Sequence, residues 1–171
     1  TQSVILHVLT KKGKGYAYCE ENPQETHGIS SGGGSISEYS TVLGRTLCDM
    51  AEKDNRIVAV SAAMTPSVGL SEFFERFPER SIDVGICEAH AAVMCAALAT
   101  QGLKPYYAVY STFLQRAFDE VMLDVCSQNL PVTICIDRAG ISGSDGETHQ
   151  GTYDLSYLAL IPNLTIAVPK D

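Results

Sequence analysis

Glu88 is the residue of this sequence best placed to do chemistry. It sits in the run Asp83-Val84-Gly85-Ile86-Cys87-Glu88-Ala89-His90-Ala91, where an apolar strand turns directly into a helix of small apolar residues. From Ala89 to Ala99 that helix is apolar nearly all round, a pattern that implies burial on more than one side. A carboxylate at such an entrance is short of water, so it must be paired or held near-neutral by desolvation. Acids perturbed in this way tend to mark functional sites. The plainer alternative is an acid that complements the dipole at a helix start.

Two further polar stretches each follow an apolar strand. One is Tyr110-Ser111-Thr112-Phe113-Leu114-Gln115-Arg116, and the other runs from Asp137-Arg138 through Asp145-Gly146-Glu147-Thr148-His149-Gln150-Gly151. Guanidinium groups at Arg116 and Arg138 suit bidentate binding of an anionic group, with the Tyr110 hydroxyl as an added donor. Arg138 directly follows a buried strand, where a solvated arginine has little reason to be. Arg116 could equally pair with Glu120 one helical turn on. His149 lies in a loop too rich in glycine to be core, and histidine is the residue type suited to proton transfer near neutral pH. A solvent-facing loop histidine is its alternative reading, and a core role is that of Phe113 and Ile86. His90, on the apolar helix, reads as a satisfied structural histidine.

Three polar loops behind three apolar strands require a scaffold that brings them to one edge. Apolar runs predict strands at about 3–10, 57–62, 81–86, 105–110, 131–137 and 164–168. Between them, helices are expected near 70–76, 89–101 (stopping at Gly102), 114–128 and 153–160, after a first helix capped by Ser37 with Tyr39, Leu43, Leu47 and Met50 on one face. This alternation predicts an α/β, doubly wound, mostly parallel sheet with helices on both faces, and in such sheets ligands bind beyond the carboxyl ends of the strands. Residues 20–37, rich in Gly and Ser, read as a linker. The Lys11–Tyr16 segment mixes Lys and Gly but lacks the phosphate-loop order, so it reads as a glycine turn with solvated lysines.

Composition narrows the function classes. A net charge of -8 argues against nucleic acid as a partner, and no apolar run approaches a membrane span. The six cysteines form no Cys-x-x-Cys pair, and Cys87, Cys95, Cys126 and Cys135 fall in apolar segments, as expected of small buried hydrophobes in a reducing, cytoplasmic compartment. The four histidines are too dispersed for a metal site. One domain of this size can bury a sizeable core.

The segments around Glu88, Phe113 and His149 closely resemble the pyrimidine-binding domain of the 1-deoxy-D-xylulose-5-phosphate synthases, thiamine-diphosphate enzymes of the transketolase superfamily. The resemblance implies that residues 1–19 close a preceding domain, that 20–37 link, and that 38–171 form the pyrimidine-binding domain of a longer, homodimeric enzyme. It implies that Glu88 hydrogen-bonds N1′ of the cofactor's aminopyrimidine, that Phe113 stacks on that ring, and that Ile86 and Tyr16 are further cofactor contacts. Mg2+ would be held by a domain outside this chain. The substrates implied are pyruvate and glyceraldehyde 3-phosphate, joined with loss of CO2 to a precursor of isoprenoids, thiamine and pyridoxal. Tyr110, Arg116, Arg138 and Asp145 would face the acceptor, with His149 beside the pyruvate-derived portion. Cys87 and Ala89 depart from the alanine and glutamine common around this glutamate. Transketolase, the beta component of a 2-oxo-acid dehydrogenase, and a non-catalytic interaction module are the competing readings. Alone, residues 1–171 are expected to bind cofactor weakly and not to catalyse.

Overall fold

The computed structural model describes residues 3–23, 38–143 and 146–169. The chain divides into two compact units, Thr1–Ser35 and Ile36–Asp171. In the first, residues 3–10 form no strand, contrary to expectation, and Val4, Ile5, Leu6, Val8 and Leu9 are exposed. Apolar composition does not make a strand unless a neighbour satisfies its backbone, and this run takes part in no ladder among the described residues. A turn follows, with Tyr16 donating its backbone N–H to Gly13 at 3.1 Å and capping α1 (Ala17–Glu21). The turn lysines are exposed, as expected, and Lys11 pairs with Glu20, whose carboxyl is held below its usual range by that ammonium and by the Gly15 N–H. Glu20 and Glu21, at the start of the expected linker, lie within α1. Ser37, the expected cap, lies outside the described residues.

The second unit opens with α2 (Glu38–Ala51). Its buried row is Ser40, Gly44, Leu47, Cys48 and Ala51, rotated from the face expected of Tyr39, which is exposed. The rotation is set by Gly44, whose absent side chain lets α2 meet the backbone of Gly69: a Cβ there would lie 2.0 Å from the Gly69 carbonyl oxygen. Next come β1 (Ile57–Ser61), α3 (Ser71–Arg76), β2 (Ser81–Asp83), α4 (Glu88–Thr100) and β3 (Lys104–Tyr110). The expected helix at 114–128 is a broken run, α5 (Ser111–Leu114), a 3-10 turn (Gln115–Ala117), α6 (Phe118–Glu120) and a π-helical segment (Val121–Cys126). β4 (Thr133–Asp137) and α7 (Asp154–Leu158) complete the order. Residues 164–168, expected as a strand, pair with none of the described residues as a ladder.

The four strands form one parallel sheet in the order β2-β1-β3-β4. The chain steps outward from β1 to β2 and then back across β1 to β3. Right-handed crossovers in opposite directions place helices on opposite faces, as the sequence predicts. All five residues of β1 are buried, so this central strand is covered on both sides. At the amino ends, Asp54 accepts from Arg56 Nε at 2.9 Å and Lys104 Nζ at 2.8 Å, and those cations hold its carboxyl far below its usual range. This clasp fixes β1 against β3 at the end opposite the polar loops. No helix among the described residues is long and apolar enough to cross a membrane.

Candidate functional site

Parallel register brings the last residues of β2, β3 and β4 (Asp83, Tyr110 and Asp137) to one edge of the sheet, with Ser61 paired to both Asp83 and Ala108, and Tyr110 to Asp137. β2 is shorter than predicted because Asp83 turns the chain. Its Oδ1 accepts from the backbone N–H groups of Ala63 (2.8 Å) and Gly85 (2.9 Å), and Oδ2 from Thr65 Oγ1 (2.9 Å). One carboxylate thus ties the turn after β1 to the turn after β2. Gly85 takes a positive φ of 70°, and three residues later α4 begins at Glu88. Ile86, predicted to share a strand face with Glu88, instead follows this turn and is 77% exposed.

Glu88 is 4% exposed, as the sequence predicts, but the helix it opens is buried on one face only. Ala91, Ala92, Cys95, Ala96 and Ala99 are buried, whereas His90, Val93 and Ala97 are exposed. His90 is a surface residue rather than a buried structural one, and Cys87 is likewise exposed. Burial pushes the Cys95 thiol up to about 12. The Glu88 main-chain carbonyl accepts from Tyr107 OH at 3.3 Å. That phenol is fully buried, and burial first, then the Glu88 charge, drives it well above the usual tyrosine range.

Arg116 pairs with Glu88, not with Glu120: its Nη1 lies 2.5 Å from Glu88 Oε1. The 3-10 turn at Gln115–Ala117 aims the guanidinium back across the edge instead of along the helix. It also lies 4.9 Å from the centroid of Phe113, whose ring meets the His149 ring edge-on at 5.2 Å and 74°. Phe113 also packs against Tyr110 at 5.6 Å, and Arg138 lies 4.3 Å over the Tyr110 ring. Arg138 reaches that position with a left-handed backbone, φ 58°, its N–H donated to Asp137 Oδ1 at 2.7 Å. The structure therefore links Glu88, Arg116, Phe113, His149, Tyr110 and Arg138 into one constellation. The rings form a tilted, edge-to-face aromatic cluster, two guanidiniums flank it, and a buried acid and an imidazole bracket the set. Tyr16, 65% exposed, belongs to the other unit. Asp145 lies outside the described residues.

Three contributors escape a reading of the sequence: Asp83, Ser111 and Asp154. Ser111, fully buried, donates to Asp154 Oδ1 at 2.7 Å. Asp154 is 6% exposed, and burial raises its carboxyl above the usual range, with the Ser111 bond partly opposing. Only its place soon after the glycine-rich loop could have drawn attention to it. A shallow groove between α4 and the π-helical segment, lined by Val93, Ala96, Thr100 and Leu130, lies apart from these groups and lacks their chemistry. Among the described residues no cluster of three or more His, Cys, Asp or Glu side chains could hold a metal ion.

The transketolase pyrimidine-binding-domain family matches residues 37–171. The chain is 57% identical over 175 residues to the 1-deoxy-D-xylulose-5-phosphate synthase of Clostridium acetobutylicum, and 52% identical over 182 residues to that of Oleidesulfovibrio alaskensis. These alignments cover 98% and 99% of this chain but only 28% of either relative. In structure the chain is similar to the transketolase of Campylobacter jejuni, with a TM-score of 0.67 at 20% identity over 85% of this chain and 24% of that one. It is also similar to a split-gene transketolase described as an inactive beta4 tetramer, with a TM-score of 0.61 at 30% identity over 70% of this chain and 39% of that one.

Proposed function

Because the chain belongs to the transketolase pyrimidine-binding-domain family, we propose that its sheet edge is the aminopyrimidine half of a thiamine-diphosphate site in a 1-deoxy-D-xylulose-5-phosphate synthase. The observation that carries this reading is the nearly inaccessible Glu88 carboxylate, joined through the Arg116 guanidinium to the Phe113 ring that meets His149 edge-on. These residues fit the group. A carboxylate sheltered from water suits a heterocyclic ring nitrogen, and the Phe113 ring at the same sheet edge suits the cofactor's ring. Identity above 50% to the synthases, against 20% to 30% to the transketolases cited, favours the synthase.

When bound, thiamine diphosphate supplies a nucleophilic ring carbon and an electron sink for decarboxylation of a 2-oxo acid. Glu88 holds and exchanges a proton at the pyrimidine N1′; with Arg116 on Oε1, that exchange falls to Oε2. Phe113 stacks on the ring and helps exclude water, while Ile86 makes a further cofactor contact. His149 moves protons beside the pyruvate-derived portion. Arg138 and Arg116 receive the phosphate of glyceraldehyde 3-phosphate, with the Tyr110 hydroxyl as an added donor and Asp145 at the acceptor's hydroxyl groups. Mg2+, the diphosphate-binding domain, the flanking domains, a homodimeric assembly and a cytoplasmic setting belong to the same proposal.

The test is a chimera in which this chain replaces the matching 28% of the Clostridium acetobutylicum enzyme. It is expected to convert pyruvate and glyceraldehyde 3-phosphate to 1-deoxy-D-xylulose 5-phosphate and CO2. Replacing Glu88→Gln should lower turnover by about 10²- to 10⁴-fold with the fold intact. Near-normal turnover of that variant would overturn the role of Glu88.

A further inference from the structure

The loop that carries His149 is closed at its neck. Gly140 and Gly151 exchange backbone hydrogen bonds, N–H to carbonyl, at 2.7 Å in each direction. Within the loop, Gln150 accepts from the Ser142 N–H at 2.7 Å and donates to the Gly146 carbonyl at 2.8 Å. The neck rests directly on Ser111: a Cβ at Gly151 would lie 2.1 Å from Ser111 Oγ and 2.6 Å from the Arg138 carbonyl oxygen. Ser111 opens α5, whose third residue is Phe113. The same Ser111 hydroxyl donates to Asp154, three residues beyond Gly151.

We propose that Asp154 is a positioning residue which, through Ser111, fixes the loop carrying His149 against the turn carrying Phe113. Its own chemistry makes a purely stabilising role unattractive. Asp154 Oδ2 is buried with no hydrogen-bond partner among the described residues, and a neutral residue of similar shape would avoid that cost. Local choices that oppose stability concentrate where function needs a fixed geometry. The clamp spans two strand-end loops that meet at the Phe113 and His149 rings and nowhere touches the reacting groups. Loss of the acceptor frees the Ser111 hydroxyl, loosens the neck, and lets His149 drift from its edge-on position. An asparagine keeps an oxygen for Ser111 and so keeps the clamp.

This inference rests on the proposed role of His149, and two measurements separate the two ideas. In the chimera, Asp154→Ala and Ser111→Ala should each lower kcat by about 10- to 100-fold, as expected for misplacement of a catalytic group, with thiamine-diphosphate affinity within about two-fold. Asp154→Asn should restore most of the rate. In a His149→Asn background, Asp154→Ala should produce no further loss. A multiplicative loss in that background, or an unchanged kcat for Asp154→Ala, overturns the proposal. Independently of activity, amide hydrogen exchange at Gly140 and Gly151 should accelerate in Asp154→Ala while that of residues 106–109 in β3 stays slow. Unchanged exchange at the neck, or loss of protection throughout β3, also overturns it. A chimera that makes no product would refute the functional reading, and the exchange experiment would still decide the clamp.

Discussion

Removing the two partners of the Glu88–Arg116 pair should have unequal consequences. Glu88 is 4% exposed and Arg116 54% exposed, with Nη1 2.5 Å from Oε1. Arg116→Met keeps an unbranched apolar stem near the Phe113 ring but strips the buried carboxylate of its cation. A fully buried pair broken in this way costs about 3 to 5 kcal/mol. Arg116 is more than half in water, where screening weakens the attraction, so about 1 to 3 kcal/mol is the appropriate expectation. Glu88→Gln removes the buried charge and lets the guanidinium return to solvent, so its cost should stay within about 1 kcal/mol. The double variant should therefore recover most of what Arg116→Met loses, a coupling of about 1 to 2 kcal/mol in a double-mutant cycle. Urea denaturation followed by circular dichroism measures all four proteins, and about 1 kcal/mol corresponds to roughly 3 to 6 °C in a thermal melt. Equal, additive losses from the two single variants would refute the idea that Arg116 neutralises a buried carboxylate.

Three other perturbations probe the scaffold. Gly44→Ala puts a methyl group 2.0 Å from the Gly69 carbonyl oxygen and should destabilise the second unit by about 1 to 3 kcal/mol in urea; a neutral result would mean α2 does not approach that turn as described. Because burial raises the Asp154 carboxyl, the native state binds this proton more tightly than the unfolded chain. The ionised form therefore costs stability above the folded pKa, and that cost vanishes below the ordinary value of 3.8. Asp154→Asn should accordingly be the more stable protein at pH 7, its advantage shrinking toward pH 4, and a pH-independent difference in melting temperature would contradict this. Iodoacetamide at pH 7.5 should label exposed Cys87 well before Cys95 or Cys135, whose thiols burial raises to about 12 and about 11; equal rates by peptide mass spectrometry would contradict the burial pattern.

The parts of the fold that could be read from the sequence are those whose signal is local. β1, β3 and β4 are continuous apolar runs long enough to specify buried parallel strands, and their order with the intervening helices specifies a doubly wound sheet. Residues 3–10 and 164–168 carry the same kind of run but acquire no ladder, because pairing is a property of two segments and not of one. β2 ends early for another reason. The apolar letters of Val84, Gly85 and Ile86 continue past Asp83, but its three hydrogen bonds and the left-handed Gly85 bend the chain away. At Ala117 the backbone departs from helical geometry (φ -112°, ψ 19°), although alanine is the residue with least local reason to break a helix.

At the site, residue types point to Glu88 and the two arginines, the family resemblance adds Phe113 and His149, and the connections among them depend on tertiary structure. Arg116 illustrates the difference. Its spacing to Glu120 satisfies the helical i,i+4 rule, yet the 3-10 turn rotates it toward a carboxylate twenty-eight positions earlier in the chain. Ser111 and Asp154 carry no periodic signal, since each acts through a single long-range hydrogen bond. A serine one residue past a strand and an aspartate at a short helix start each have an ordinary local explanation. Only burial distinguishes them: an aspartate can complement a helix start while remaining in water, and Asp154 does not remain there. The energetic penalty of holding that carboxylate inside is therefore the clearest physical reason to seek its role at the neck of the His149 loop rather than in the short helix it begins.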